Sequence, residues 1–338
     1  MTVAALAAAL LAGCSAPAPM PLPDEPERDG EFTLYSGRNE TLIQPLIERF
    51  EASTQISVDV RYGNTAELGA LLLEEGDRTP AQVFLSQDAG ALGALANAGL
   101  FAHLPSETTE QVAAGFTSTD GTWVGVTGRA RVIVYDGEAL AADRVPESVD
   151  AFTDPEWAGR FGIAPTNASF QAFVTAYRVL RGEDAADAWV AGIAANRPQI
   201  FANNGAVLTA VNDGVVATGL INHYYWYQLA AEIGADTMRA QLAYPQPGDP
   251  GSIVNVTGAG LLVGAVGDAD ALEFIEFLVS AEAQQYFVDE TFEYPLVDGV
   301  AAPEGLPPLA DLSNPDLDLA DLDDLAVTQD LLAKHGLI

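Results

Sequence analysis

Two adjacent phenols carry the most suggestive chemistry in this sequence: Tyr224 and Tyr225, within the run Ile221-Asn222-His223-Tyr224-Tyr225-Trp226-Tyr227. A phenol ionises at about pH 10 in water. A cation that bonds strongly to phenolate oxygen displaces that proton at neutral pH, much as zinc acidifies bound water. Ferric iron, small, hard and triply charged, is the cation such a pair suits. The same rings also serve as a half-buried cluster packing a helix start. The apolar run Val215 to Ile221 precedes them, and a helical pattern follows up to Gly234. That reads as strand, short turn and helix, with Asn222 as N-cap and Gly234 just past the helix end. Open α/β sheets bind ligands at the carboxyl ends of their strands. The free N–H groups of a helix start favour anions there.

The run Ile221 to Tyr227 resembles the tyrosine-pair motif of ferric-ion-binding proteins, the periplasmic or lipid-anchored receptors of bacterial iron ABC importers. Four other stretches agree in order and spacing: Leu34-Tyr35-Ser36-Gly37-Arg38, Leu73 to Ala81, Gly128 to Tyr135, and Glu293-Tyr294-Pro295-Leu296. The resemblance covers nearly the whole mature chain. It implies the periplasmic-binding-protein fold of the transferrin-like tyrosine-pair class: two α/β lobes, mixed sheets flanked by helices, and a cleft that closes by hinge motion around ligand. It places Tyr224 and Tyr225 on the family's two phenolate ligands. Other members add a histidine from the first strand–helix loop and a glutamate after a later strand. Here those positions hold Asn39 and Gln87, the latter followed by Asp88. Some relatives use a third tyrosine, at the position aligned with Asn167. Asp88 substitutes if its loop shifts by one place, although capping the Ala89 helix is its weightier use. The first lobe thus has only Asn39, Gln87, Asp88 or Arg38 to offer.

In the family, a shell short of protein donors is completed by a synergistic anion and water. Carbonate, phosphate or a carboxylate would serve. Asn167-Ala168-Ser169 begins the Phe170 helix, Asn204 the next one and Asn222 the tyrosine helix, and all match the family's anion cradle. Arg129 matches an arginine that contacts the anion in some members. Each asparagine is equally explained as a helix cap, because capping and anion binding share one geometry. His223 matches a polar position that does not ligate. The resemblance implies Fe(III) capture with an anion and delivery to an ABC-transporter permease and its ATPase, by a monomer that is not an enzyme. The alternative is a two-lobe receptor for an iron chelate, such as a small carboxylate or hydroxamate complex, or for another small anion, with the tyrosines not ligating metal.

The elements that position these residues alternate along the chain. Strands are predicted at Phe32 to Tyr35, Ile56 to Tyr62 and Val83 to Ser86. Helices are predicted at Glu40 to Ser53, Thr65 to Glu75 and Ala89 to Ala98. This βαβαβα order implies a largely parallel sheet with helices on both faces. Gly128 to Arg131 is the expected crossing between lobes. The first lobe is predicted to comprise residues 31–128 plus about 255–302. The second comprises 129–254 plus about 303–338, its last segment packing on that lobe. The Asp-Leu-rich run from Leu309 to Leu325 lacks the glycine and glutamate spacing of an EF-hand and reads as a solvated face.

Residues 1–14 have the apolar core and small-residue end of a secretory signal. Leu11-Ala12-Gly13-Cys14 resembles the bacterial lipobox, which makes Cys14 the lipidation site, although the usual basic residues are missing before the apolar core. Residues 15–30, rich in proline, read as a flexible tether. The expected location is extracytoplasmic, lipid-anchored to the outer face of the cell membrane or periplasmic. Cys14 is the only cysteine, so an intramolecular disulfide and a cysteine metal cluster are excluded. The formal net charge of −34, with Lys334 the single lysine, argues against nucleic acid and acidic lipid as partners. No Gly-x-Ser-x-Gly elbow is present, and the three histidines form no facial triad, which argues against a hydrolase and an iron oxygenase.

Overall fold

The computed structural model describes residues 28–113, 115–312 and 317–338. Cys14, the signal and nearly all of the tether lie outside the described residues, as does part of the Asp-Leu-rich run.

β1 (Glu31–Ser36), α1 (Glu40–Thr54), β2 (Ser57–Tyr62), α2 (Thr65–Glu75), β3 (Val83–Ser86) and α3 (Ala89–Asn97) follow one another as the periodicity predicts. α1 buries Ile43, Leu46, Ile47 and Phe50 on one face. Asn39, Asn64 and Asp88 cap the three helices by accepting the N–H groups of Thr41, Ala66 and Ala91. β1 runs parallel to both β2 and β3, as helical crossovers require. Gly37 lets the β1–α1 loop lie directly on Thr65, where a Cβ would collide with the threonine hydroxyl.

After the short α4 (Ser106–Thr109), β4 (Val124–Asp136) runs through the middle of the molecule. Every β4 residue except Tyr135 is buried, the mark of a strand covered on both faces. β5 (Phe161–Ile163), α5 (Ala168–Arg181), α6 (Glu183–Ala195), β6 (Gln199–Ile200), α7 (Asn204–Asn212), β7 (Thr218–Asn222), α8 (Tyr224–Ile233) and β8 (Ala240–Ala243) come next. β9 (Val254–Leu261), α9 (Ala269–Leu278), α10 (Ala281–Tyr286), β10 (Tyr294–Pro295), α11 (Leu309–Leu312) and α12 (Leu325–Lys334) complete the chain.

The strands join in the order β2-β1-β3-β9-β4-β7-β5-β6, with β8 and β10 also on β4. The sheet is less parallel than the βαβ order suggests. β9 is antiparallel to β3 and β4, and β4 is antiparallel to β7 and β8. Along β4, Val124 to Ala130 pair with β9, whereas Arg131 to Tyr135 pair with β7. The ladder therefore changes partner between Ala130 and Arg131, inside the predicted crossing. Separate aromatic clusters fill the two halves. Phe32, Phe50 and Phe274 meet edge-on in the first, and Tyr177 stacks on Trp189 at 5.1 Å in the second. The C-terminal segment touches both: Leu319–Asp323 sits against α3, and α12 against α5 and α6.

Candidate functional site

Tyr224 opens α8 and is 3% exposed, while Tyr225 is half-buried beside it. Their rings stack with centroids 4.3 Å apart and planes 26° apart. β7 delivers them here because α7 closes down on it: a Cβ at Gly219 would collide with Val207 of α7. The start of α7 thereby reaches the tyrosines, and a Cβ at Gly205 would stand 4.0 Å from the Tyr225 ring.

The caps differ in two places from the sequence reading. Asn222 does not cap the tyrosine helix; it ends β7, in register with Arg131 of β4, because its extended backbone completes that ladder. His223 heads α8 instead and gives it no side-chain cap. Its ring is otherwise engaged. Nδ1 accepts the Ala130 N–H at 3.1 Å, and Nε2–H donates to the Phe292 carbonyl at 2.9 Å. Both nitrogens are used, and burial lowers the ring's pKa to about 4, so His223 is a neutral strut. At α7 the cap is Asn203, not Asn204. Asn204, only 1% exposed, is left to donate to Ser169 Oγ at 2.9 Å and Asn167 Oδ1 at 3.4 Å. Asn167 does cap α5, accepting the Ser169 N–H at 3.0 Å. The structure thus brings Asn167, Ala168, Ser169 and Asn204 together.

Three arginines surround this cluster. Arg38 makes a two-pronged pair with Glu293, at 3.0 and 2.9 Å, and both are buried. Arg129 donates to the Val256 carbonyl at 3.2 Å and keeps Nε 3.9 Å from Glu293. Arg131 reaches Ser169 Oγ at 3.3 Å and the Leu220 carbonyl at 3.2 Å, with its guanidinium over Phe170 and Phe173. Burial lifts the Tyr224 pKa well above its usual value, and Tyr225 adds to this; Arg129 and Arg38 pull it back down. Arg38 from the β1–α1 loop and the phenols of α8 are therefore electrostatic neighbours across the ladder switch.

Four buried donors here, Nε of Arg38, Arg129 and Arg131 and Nδ2 of Asn255, have no hydrogen-bond partner, against one acceptor, Asn204 Oδ1. Buried polar groups are ordinarily paired, and a surplus of donors suits anionic oxygen. Among the described residues, no three His, Cys, Asp or Glu side chains come together in a metal-holding group.

On the opposite wall, Arg38, Asn39, Gln87 and Thr65 line a cavity of about 240 Å³ that Ala168 closes from the other side. Asn39 is exposed, and its Oδ1 is engaged by Thr41. Asp88 is engaged by Ala91. Burial raises the Asp88 pKa, opposed by the helix N–H groups and Arg129. Gln87 is held by its backbone, whose N–H donates to Thr65 Oγ1 at 3.0 Å.

Sequence reasoning missed Arg131 and Glu293 as parts of this site. Arg131 was within reach, since residues two apart on a strand share a face and Arg129 was already singled out. Glu293 meets Arg38 across 255 positions, a pairing that no local pattern displays.

Residues 78–321 match the family model described as bacterial extracellular solute-binding protein. The chain is 34% identical to an "Fe(3+)-binding periplasmic protein" of Serratia marcescens, over 92% of this chain and 91% of that one. It is 32% identical to a "Major ferric iron-binding protein" of Neisseria meningitidis, over 91% and 93%. Its fold matches the crystal structure of iron-bound HitA from Pseudomonas aeruginosa with a TM-score of 0.85, 35% identity and coverage of 91% and 99%. It also matches a Trichodesmium protein solved with iron and citrate ligands, with a TM-score of 0.78, 27% identity and coverage of 91% and 100%. By sequence, and by a two-lobe fold built on a strand that both halves share, the chain belongs to the bacterial extracellular solute-binding protein family.

Proposed function

We propose that this protein captures Fe(III) together with a synergistic anion and delivers it to an ABC-transporter permease and its ATPase. The observation that carries this reading is the stacked pair Tyr224 and Tyr225, held in a donor-rich pocket under three arginines. Ferric-iron-binding relatives sharing about a third of its residues support it. Tyr224 and Tyr225 supply phenolate to the metal. Asn167, Ala168, Ser169 and Asn204 hold the anion, with Arg129 behind the phenols, and Asn222 supports Arg131 through the β7–β4 ladder rather than capping a helix. Asn39 and Asp88 serve as caps, and Gln87 lines the far wall.

The lobes in this reading are residues 31–128 with about 255–302, and 129–254 with about 303–338, hinged at Ala130–Arg131. A ligand touching both lobes favours the closed arrangement. The protein works as a binding protein rather than an enzyme, as a monomer, tethered outside the cytoplasm through a lipid on Cys14. Among the described residues, no helix is long and apolar enough to cross a membrane.

Adding ferric salt to the metal-free protein tests the reading. A phenolate-to-iron charge-transfer band should appear in the visible. Tyr225→Phe should abolish it and weaken iron retention by more than about tenfold, since losing a direct ligand outweighs losing a supporting one. An unchanged band in that variant removes Tyr225 from the site.

A further inference from the structure

We infer that the iron is taken as a complex with a small polycarboxylate chelator, whose carboxylate Arg131 anchors and whose carbon skeleton occupies the groove beside Ala168. This rests on the ferric reading above and names the form of its cargo.

Donor count is the first argument. Two phenols leave most of a roughly octahedral ferric shell to be filled. The nearby Asn39 and Asp88 oxygens already hold helix N–H groups, and His223 has both ring nitrogens bonded. Most of the remaining donors must then arrive with the cargo.

Charge is the second. Arg38, Arg129 and Arg131 are each 2% exposed, and Glu293 is the one carboxylate paired with any of them among the described residues. A ferric ion held by two phenolates adds a further positive charge. Uncompensated buried charge is costly. A chelator carrying two or three carboxylates offsets it, whereas a singly charged oxyanion falls short.

Arg131 is the third. Its guanidinium is fixed over Phe170 and Phe173, centroids 5.3 and 5.2 Å away, and no carboxylate pairs with it among the described residues. Nη1 already touches Ser169 Oγ, which Asn204 also contacts, and Nε is a buried donor without a partner. An arginine held rigidly in that way is set to take a carboxylate.

Space is the fourth. The cavity beside Arg38 shares Asn64, Thr65 and Ala168 with a larger groove of about 550 Å³. Small residues line much of that groove, among them Ala66, Gly69 and Ala91 on one side and Ala172 on the other. The volume falls in the range of small organic ligand sites. A metal ion with an inorganic oxyanion leaves most of it unused.

Equilibrium dialysis of the purified protein with ferric iron and radiolabelled citrate tests this, with ferric iron and phosphate as the parallel arm. Citrate should be retained one to one with iron. Arg131→Gln should weaken citrate retention at least tenfold. Ala66→Trp, an exposed helix position at the groove wall, should do the same by filling the space. If Arg131→Gln does not fold, the Ala66→Trp result decides. Iron retained with its visible band but without citrate overturns the chelate while leaving ferric capture standing. Citrate retention indifferent to both substitutions also overturns it. No band and no iron from either source ends both readings.

Discussion

Arg38 and Glu293 meet in a bidentate pair, 2.9 and 3.0 Å long, that joins the β1–α1 loop to the residue just before β10. Glu293 also accepts the hydroxyls of Thr127 and Thr291, so its oxygens are fully employed. Removing one member of such a pair leaves the other charged and buried. Glu293→Ala should destabilise the protein by about 3–5 kcal/mol. Urea unfolding followed by circular dichroism checks this, and a loss below 1 kcal/mol contradicts the role given to the pair.

Iron binding should strengthen as pH rises. Burial keeps the Tyr224 phenol protonated at neutral pH in the metal-free protein. The metal-bound form needs it ionised, so the free form binds more protons and acid favours release. Below the phenol's pKa, the log of the iron affinity should climb by at least one unit per pH unit from this proton. Competition titrations between about pH 6 and pH 8, with the competitor's own protonation accounted for, give the slope. A flat profile contradicts phenolate ligation by Tyr224.

His223 should matter for stability rather than for colour. Its ring joins Ala130 N–H, at the ladder switch, to the Phe292 carbonyl. His223→Ala leaves both backbone groups unsatisfied in a buried place, which costs about 1–3 kcal/mol apiece. Thermal melting reads the loss, and the ferric absorption band should keep its wavelength. A shifted band would make His223 a metal ligand after all.

Salt should stabilise the fold. A net charge of −34 on 338 residues repels itself strongly when unscreened. Screening shortens to about 10 Å at 0.1 M salt. The melting temperature should therefore rise from low millimolar salt to molar salt, fitting a saline habitat. A melting temperature no lower at very low salt contradicts this.

Much of the scaffold was legible because it obeys local rules. Asn39, Asp88 and Asn167 cap the helices that they precede in sequence. The Thr65–Glu75 and Ala269–Leu278 helices follow from apolar spacing and end signals. The misreadings sit where two residues compete for one role. Asn203 and Asn204 are both good caps, and only the approach of α5 gives Asn204 its other partner, Ser169. Asn222 has a capping side chain, but the β4 ladder holds its backbone extended. Arg131 and Glu293 depend on contacts 38 and 255 positions away, which periodicity does not encode.

One strand, β4, lends its first seven residues to one half of the molecule and the rest to the other. The pivot is thus woven into the fabric of the sheet instead of dangling as a slack linker. Opening and shutting must proceed by winding and unwinding that ribbon while its rungs stay intact. Such a torsion spring returns the walls to the same alignment on every cycle, so Arg38 meets the phenols in the same place each time.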